Sequence, residues 1–326
     1  DSAPKAEYAF AIPPYALKGI SFRPVDADGE TPVPARDKAG LSLLSLKPES
    51  GETAMLFRLA FALVSMTALL VDPIGAVSQE LLPGIDLNSP DMSTSEMTRA
   101  EVDALLKAAP RDSAGQRSAD LEGKRLSHLD LSGLDFSGSN LRLARLNGTN
   151  LKGARFDRAI LNQAWLIDAD LTEASLVKAS LLSTQMQRAK LGGADLSGAR
   201  ITGDLSGASL IGAKLAGADL SADMRNQSMG LMRGVLKSAD LRNADLSGAN
   251  LSRANLEFAK LQNANLANCN LNHANLAGAD LSNANLAGAD FTETDLDSTL
   301  LPGAAALAEA RNLDKAWNLN QARRPP

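Results

Sequence analysis

Ala239-Asp240-Leu241-Arg242-Asn243, Ala244-Asp245-Leu246-Ser247-Gly248 and Ala249-Asn250-Leu251-Ser252-Arg253 follow one another without a gap. Each is a small residue, an Asp or Asn, a Leu, and two variable positions. We call the Leu the centre and the Ala two residues before it the small position. Outward from this stretch the beat extends from Ala119 to Leu301. It opens on Leu121, Leu126, Leu131, Phe136, Leu141, Leu146, Leu151 and Phe156 and closes on Leu286, Phe291 and Leu296. Five is neither the 3.6 of a helix nor the 2 of a strand. It fits one side of a four-sided coil of about 20 residues, stacked at the inter-strand spacing of roughly 4.8 Å. Centres and small positions then point inward, where Ala fits beside Ser139, Thr149, Thr184 and Cys269 as variants. Phe136 and Phe156 fall in one column.

Proline and glycine agree with this reading. The chain has 14 Pro, yet none lies between Pro110 and Pro302. A stacked coil needs its backbone N–H groups, and Pro removes one. Gly recurs two residues after the centre, as at Gly133 and Gly198, where the chain turns a corner. The motif resembles the pentapeptide-repeat family over most of the stretch 119–301. That resemblance implies an all-β solenoid, a right-handed quadrilateral β-helix, here of about nine coils and about 40 Å long at the strand spacing.

The flanks predict short helical caps at both ends. Residues 79–118 read as a linker and a capping helix, with Thr98-Arg99-Ala100-Glu101 as a capping box and Val102, Leu105, Leu106 and Ala109 on one face. Residues 302–326 read as a helix striped by Leu307, Ala310 and Leu313, with Trp317 over the last coil and a frayed tail. Residues 1–54 are Pro-rich and read as extended. In 55–78, Arg58 precedes an uncharged run from Leu59 to Val71, followed by Ala76-Val77-Ser78. That order describes a secretory signal peptide, too short for a membrane span. It predicts export from a bacterial cell if translation starts at Met55 and residues 1–54 are an upstream extension. Otherwise the segment is a membrane anchor or a packed helix, and membrane contact is expected only there.

Chemistry is sparse. The formal charge of -5 is mild and argues against direct nucleic-acid binding. One Cys cannot form an intrachain disulfide. His128 and His273 lie in outward positions with no metal-ligand spacing. No convergent nucleophile and base appear, so no catalytic, cofactor or metal residue is expected, and the chain is not read as an enzyme. The Asp and Asn before the centres read as structural: Asn250 with Asn270, and Asn255 with Asn275, as ladders, and Asp120, Asp130 and Asp135 as turn acceptors.

Three irregularities remain. Ile160, Trp165, Ile167, Val177 and Leu182 occupy outward positions that are polar elsewhere in the repeat, as an interaction surface would. The beat slips by one between Ile201 and Leu205, and Ser221 to Val235 is out of phase. Continuing the count would bury Arg225 and Asp223 unpaired, so part of that segment, with Met224, Arg225, Met229 and Met232, is expected to loop out of the wall and is a candidate functional loop. Third, Asp280, Asp290, Glu293, Asp295 and Asp297 gather in a stretch, 262–301, without Lys or Arg, as an acidic patch for a basic partner or a solvated face.

The leading expectation is a non-enzymatic interaction or scaffold protein with an unidentified protein partner. The alternative comes from the resemblance alone: some pentapeptide-repeat proteins bind DNA gyrase as a mimic of duplex DNA. A mimic needs a strongly negative rod, and 119–301 holds about 20 acidic and about 18 basic residues.

Overall fold

The computed structural model describes residues 86–110, 118–224 and 232–324, all within one compact unit, Pro73–Pro326. The expected segments 1–54 and 55–78 lie outside the described residues. From Ala119 onward the chain winds as a four-sided coil. We name the sides walls A to D in chain order, beginning with the centres Leu121 (A), Leu126 (B), Leu131 (C) and Phe136 (D). Parallel bridges join each wall to the next coil: Asp120 to Asn140, Arg125 to Arg145, Asp130 to Asn150, Asp135 to Arg155.

The backbone account explains why five residues make one side. The Leu121 N–H donates to the Asn140 carbonyl of the next coil (2.8 Å), the Gly123 N–H to the Arg142 carbonyl (2.7 Å), and the Asn140 N–H donates back to Ala119 (2.9 Å). Each corner closes on itself, as where the Ala144 N–H reaches the Leu141 carbonyl at 3.1 Å. The second corner residue has positive φ, 69° at Gly133, as a type II turn requires. One N–H remains, that of the residue after the centre, and the Asp or Asn before the centre accepts it: Ser132 to Asp130 Oδ1 at 3.0 Å and Ser247 to Asp245 Oδ1 at 3.0 Å. This is the local Asx bond by which Asp and Asn hold the backbone two residues on, so an Asp or Asn recurs at this position.

The interior is the column of centres and small positions, nearly all fully buried. Phe136 and Phe156 stack with ring centroids 4.9 Å apart and planes 4° apart. Where a small position is polar, its side chain donates to a centre carbonyl one coil back: Thr149 Oγ1 to Leu126 (2.9 Å), Thr294 to Leu271 (2.8 Å), and the Cys269 thiol to Leu246 (2.8 Å). Asn270 Nδ2 donates to Asn250 Oδ1 at 3.0 Å, a side-chain ladder up wall A.

Before the first coil lie α1 (Pro90–Ser93) and α2 (Arg99–Ala108). Thr98 and Glu101 form the reciprocal box, the Thr98 N–H donating to Glu101 Oε2 at 2.7 Å. Val102 and Leu106 enter the core, but Leu105, expected on the same face, is exposed. Ser95 bridges Leu126 in antiparallel fashion, and the Ser127 hydroxyl and Asn147 amide both donate to the Met92 carbonyl.

The other end differs from the helical cap and frayed tail read from the sequence. Helix α3 is only Ala304–Ala308, followed by a 3-10 turn at Leu313–Lys315. Arg311, Trp317 and Arg323 instead bridge Asp290, Asp295 and Leu300 in parallel. The pentapeptide beat stops at Pro302, but the carbonyls of the last coil still need partners, and an open edge is a liability. Asn312 and Asn318 supply the positive φ for the corners (55° and 57°), which a periodicity count does not register. Trp317, expected over the last coil, pairs there through its backbone while its indole stays exposed.

Candidate interaction surface at the broken corner

The two irregular steps fall at one corner. Ile201 and Leu220 are successive wall A centres, and the beat fails after each, between walls A and B. In the shorter step, β1 (Ser180–Gln185) and β2 (Arg200–Asp204) run extended and pair in parallel, with the register slipping between Leu182 and Gln185. The corner is drawn so tight that a Cβ on Gly203 would strike the Thr184 carbonyl. On the next coil the chain makes the opposite departure. Asp204 pairs with Val235 and Asp219 with Asn250, an offset lengthened by the inserted segment. Its neck is pinned by the Asp223 N–H on the Met232 carbonyl (2.8 Å) and the Gly234 N–H on Leu220 (2.9 Å).

The insertion meets the tight corner. The Ser183 hydroxyl donates to Met232 Sδ at 3.1 Å, and Thr202, Gly203, Ser221 and Ala222, which follow the wall A centres Ile201 and Leu220, are buried. Met224 is exposed at 47%. Arg225 and Met229 lie outside the described residues. One coil loses a residue and its neighbour gains a segment, and Met232 of that segment reaches back to Ser183 at the tightened corner.

The apolar residues singled out from the sequence divide here. Ile160 and Leu182 share wall A on consecutive coils; Ile160 is exposed at 39% and Leu182 is half-buried. Trp165 is half-buried on wall B, one corner away, and Val177 stands on wall D. Ile167 is a correction. Its position in the repeat places it outward and open, but only 3% of it is exposed. It stands in a wall B column with Ser127, Asn147 and Gln187, all buried, and its N–H donates to Asn147 Oδ1 at 3.1 Å. A column residue is covered by its neighbours one coil away, which single-residue polarity does not show. Sequence reasoning also missed Leu143, exposed at 42% at the A–B corner. Its signal is a Leu two residues after a centre, where most sides carry Gly or a polar residue; in the fold its φ is 58°.

The acidic residues near the end are largely engaged by the chain's own last coil. Asp290 Oδ1 accepts from the Asn312 amide (2.9 Å) and Asp295 Oδ1 from the Asn318 amide (2.8 Å). Glu293 pairs with His273 Nδ1 at 3.0 Å. Burial alone would raise the Asp290 carboxyl, but the bonds from Asn312 and Thr292 and the charge of Arg311 hold it below the ordinary range. Burial pushes the Cys269 thiol up to about 12, so it sits in the core as a small apolar group. Among the described residues no group of His, Cys, Asp or Glu could hold a metal ion, and no helix is long and apolar enough to cross a membrane.

Stacked four-sided coils with centres inside and ladders outside define a β-helical solenoid. The family model described as pentapeptide repeats matches residues 125–163, 164–203, 204–222, 235–266 and 259–303 in eight copies, and the chain belongs to that family, whose fold is the right-handed β-helix. Among solved structures it is similar to HetL, a pentapeptide repeat protein involved in heterocyst differentiation regulation from the cyanobacterium Nostoc sp. strain PCC 7120, at 30% identity over 70% of this chain and 95% of that chain, with a TM-score of 0.35. It is also similar to full-length QnrB1, a plasmid-mediated fluoroquinolone resistance protein, at 17% identity over 64% of this chain and 93% of that one, with a TM-score of 0.34. A third is a pentapeptide repeat protein of the Arabidopsis thaliana thylakoid lumen, at 23% identity over 59% and 76%, with a TM-score of 0.18. No curated protein matches the chain.

Proposed function

We propose that this chain is a non-enzymatic interaction solenoid that holds a protein partner on wall A and the A–B corner. One observation carries the reading: Met232 of the inserted segment lies on Ser183 at 3.1 Å, next to Leu182, so the broken beat and the outward apolar residues form one face. Elsewhere the walls carry Asp, Asn and Ser that satisfy their own backbone, together with Lys and Arg, and the exposed apolar residues Ile211 and Phe258 stand apart from one another. At this corner the repeat is given up twice on adjacent coils. The rod that presents it has about nine coils, with α2 packed at one end and the pairing segment Arg311–Arg323 at the other.

The charged start, apolar run and small-x-small site within residues 55–78 support export, with the partner in the cell envelope or outside. A gyrase-binding mimic has no observation in its favour: the bridging column of wall C mixes Asp130, Asp170 and Asp240 with Lys190 and Lys260. The test is site-specific photocrosslinking in the source cell from Leu143 and Leu182, with Asn263 on another corner as control. A single protein captured from both corner positions and not from the control is expected. Equal capture from all three positions would refute the assignment of the face.

A further inference from the structure

The last coils carry a second surface, on wall B. Trp317 pairs there with Asp295 through its backbone, and 52% of the residue is exposed. Its indole meets the His273 ring edge-on, with centroids 6.1 Å apart and planes at 69°. The coil before it brings Asp295 and Asp297 to wall B and Glu293 to the corner that leads into it. None of these carboxylates meets a Lys or Arg among the described residues. Asp295 accepts from the Asn318 amide (2.8 Å) and Asp297 from the Ser298 hydroxyl (3.1 Å); neutral donors use lone pairs and leave the charge in place. Glu293 has His273, which is charged only when protonated. No Lys or Arg occurs from 262 to 301, and Lys315, two residues before Trp317, turns its ammonium to Asn312 Oδ1 at 3.0 Å.

The same wall shows what such groups hold. Lys237 Nζ lies 3.0 Å from Glu257 Oε2 and 5.8 Å from the centroid of the Phe258 ring. A cation is thus shared by a carboxylate and an aromatic face, as the ring quadrupole and the anion both favour. Trp317 with Asp295 and Glu293 repeats the ring and the carboxylates, but no cation of the described chain lies between them. Trp is the better platform for a cation. A guanidinium suits it most closely, because its plane stacks on the indole while its N–H fork reaches neighbouring carboxylates.

We propose that the Trp317 end of wall B binds a basic segment of a protein partner, with an Arg stacked on the indole. Charge complementarity defines the occupant: Glu293, Asp295 and Asp297 answer the cations of that segment and repel an acidic one. The surface lies toward the opposite end of the solenoid from Leu143 and Leu182, so it stands or falls independently of the A–B corner face.

The test uses the full-length protein and three fluorescein-labelled Gly-Ser peptides that differ only in four central residues, Arg, Lys or Glu. By anisotropy the Arg peptide is expected to bind about tenfold more tightly than the Glu peptide, and more tightly than the Lys peptide. Trp317→Leu should remove the margin of Arg over Lys. Asp297→Lys should weaken binding of the Arg peptide, and neither change should alter the circular dichroism spectrum, since neither side chain enters the core. In a Trp165→Phe background Trp317 is the one remaining Trp, and unlabelled Arg peptide should shift its emission saturably. Equal binding of the three peptides, binding of none, an unmoved Trp317 emission, or an Arg preference that survives Trp317→Leu overturns the proposal. So does sedimentation showing a dimer that Trp317→Leu dissociates, because the occupant is then a second copy.

Discussion

Replacing Phe156 with Leu tests the coil register at its most specific point. Phe156 is fully buried and stacks on Phe136 at 4.9 Å. The next centre in the column is Leu176, so Leu already fits this wall, and the loss is less than the 3–5 kcal/mol typical of Phe→Ala. What goes is the stacking, about 0.5–1.5 kcal/mol, and part of the packing around a smaller side chain, together about 2 kcal/mol. The decisive quantity is the coupling in a double-mutant cycle with Phe136→Leu, measured by urea denaturation followed by circular dichroism. A coupling of about 0.5–1.5 kcal/mol is expected, because either single change already removes the stack. Additive effects within about 0.3 kcal/mol would mean that the rings do not share a column, and the register of twenty would be wrong.

Three further outcomes follow from the same coil. Cys269, with its thiol pushed up to about 12, should resist alkylation at pH 8 in the folded protein and react fully in denaturant; prompt labelling of the native state would contradict its inward position. Gly133→Ala and Gly278→Ala both place a Cβ at positive φ (69° and 67°), but only the second meets a neighbour, the Phe258 ring. Gly278→Ala should therefore lower the Tm further, by about 1 kcal/mol equivalent, unless Phe258→Ala accompanies it; equal shifts would discount that contact. Asp240 is held low by its bond from Arg242, and Asp245 by bonds from Ser247 and Asn265 that outweigh burial. A carboxyl lowered in the fold contributes stability above its unfolded value near 4, and that contribution is lost as pH falls through the folded value. Stability should be flat from pH 7 to about 5 and decline below about 4; a decline centred at pH 6 would point to other groups.

The regular part of this molecule was legible because one short motif repeats one physical solution. The centre, the small position, the Asp or Asn acceptor and the corner Gly each satisfy a need that recurs on every side, so five residues carry the rule for all of them. Phe136 with Phe156, and Asn250 with Asn270, could be paired by counting twenty. The remainder depended on contacts between coils. Ile167 looks exposed by its position in the repeat and is buried by its column. Arg311, Trp317 and Arg323 carry no motif, yet the last coil's open backbone recruits them. In the sequence the candidate face is two separate features, the apolar residues near Trp165 and the Met-containing insertion. Noting that Ile201 and Leu220 are successive centres of one wall would have put both slips at one corner. The reach of Met232 back to Ser183 has no sequence signal.

That reach is the most direct place to test the account. Ser183→Cys with Met232→Cys puts one thiol at the Oγ position and the other one bond short of the Sδ that now lies 3.1 Å from Oγ, near enough to bond with a small movement of the neck, and Cys269 is too buried to compete. Under mild oxidation of the full-length chain, the account predicts an intrachain disulfide, identified by peptide mapping, that forms without loss of the native circular dichroism spectrum. Free thiols at both positions after oxidation, in a folded protein, would mean that the insertion does not rest on the corner and that the single face proposed here does not exist.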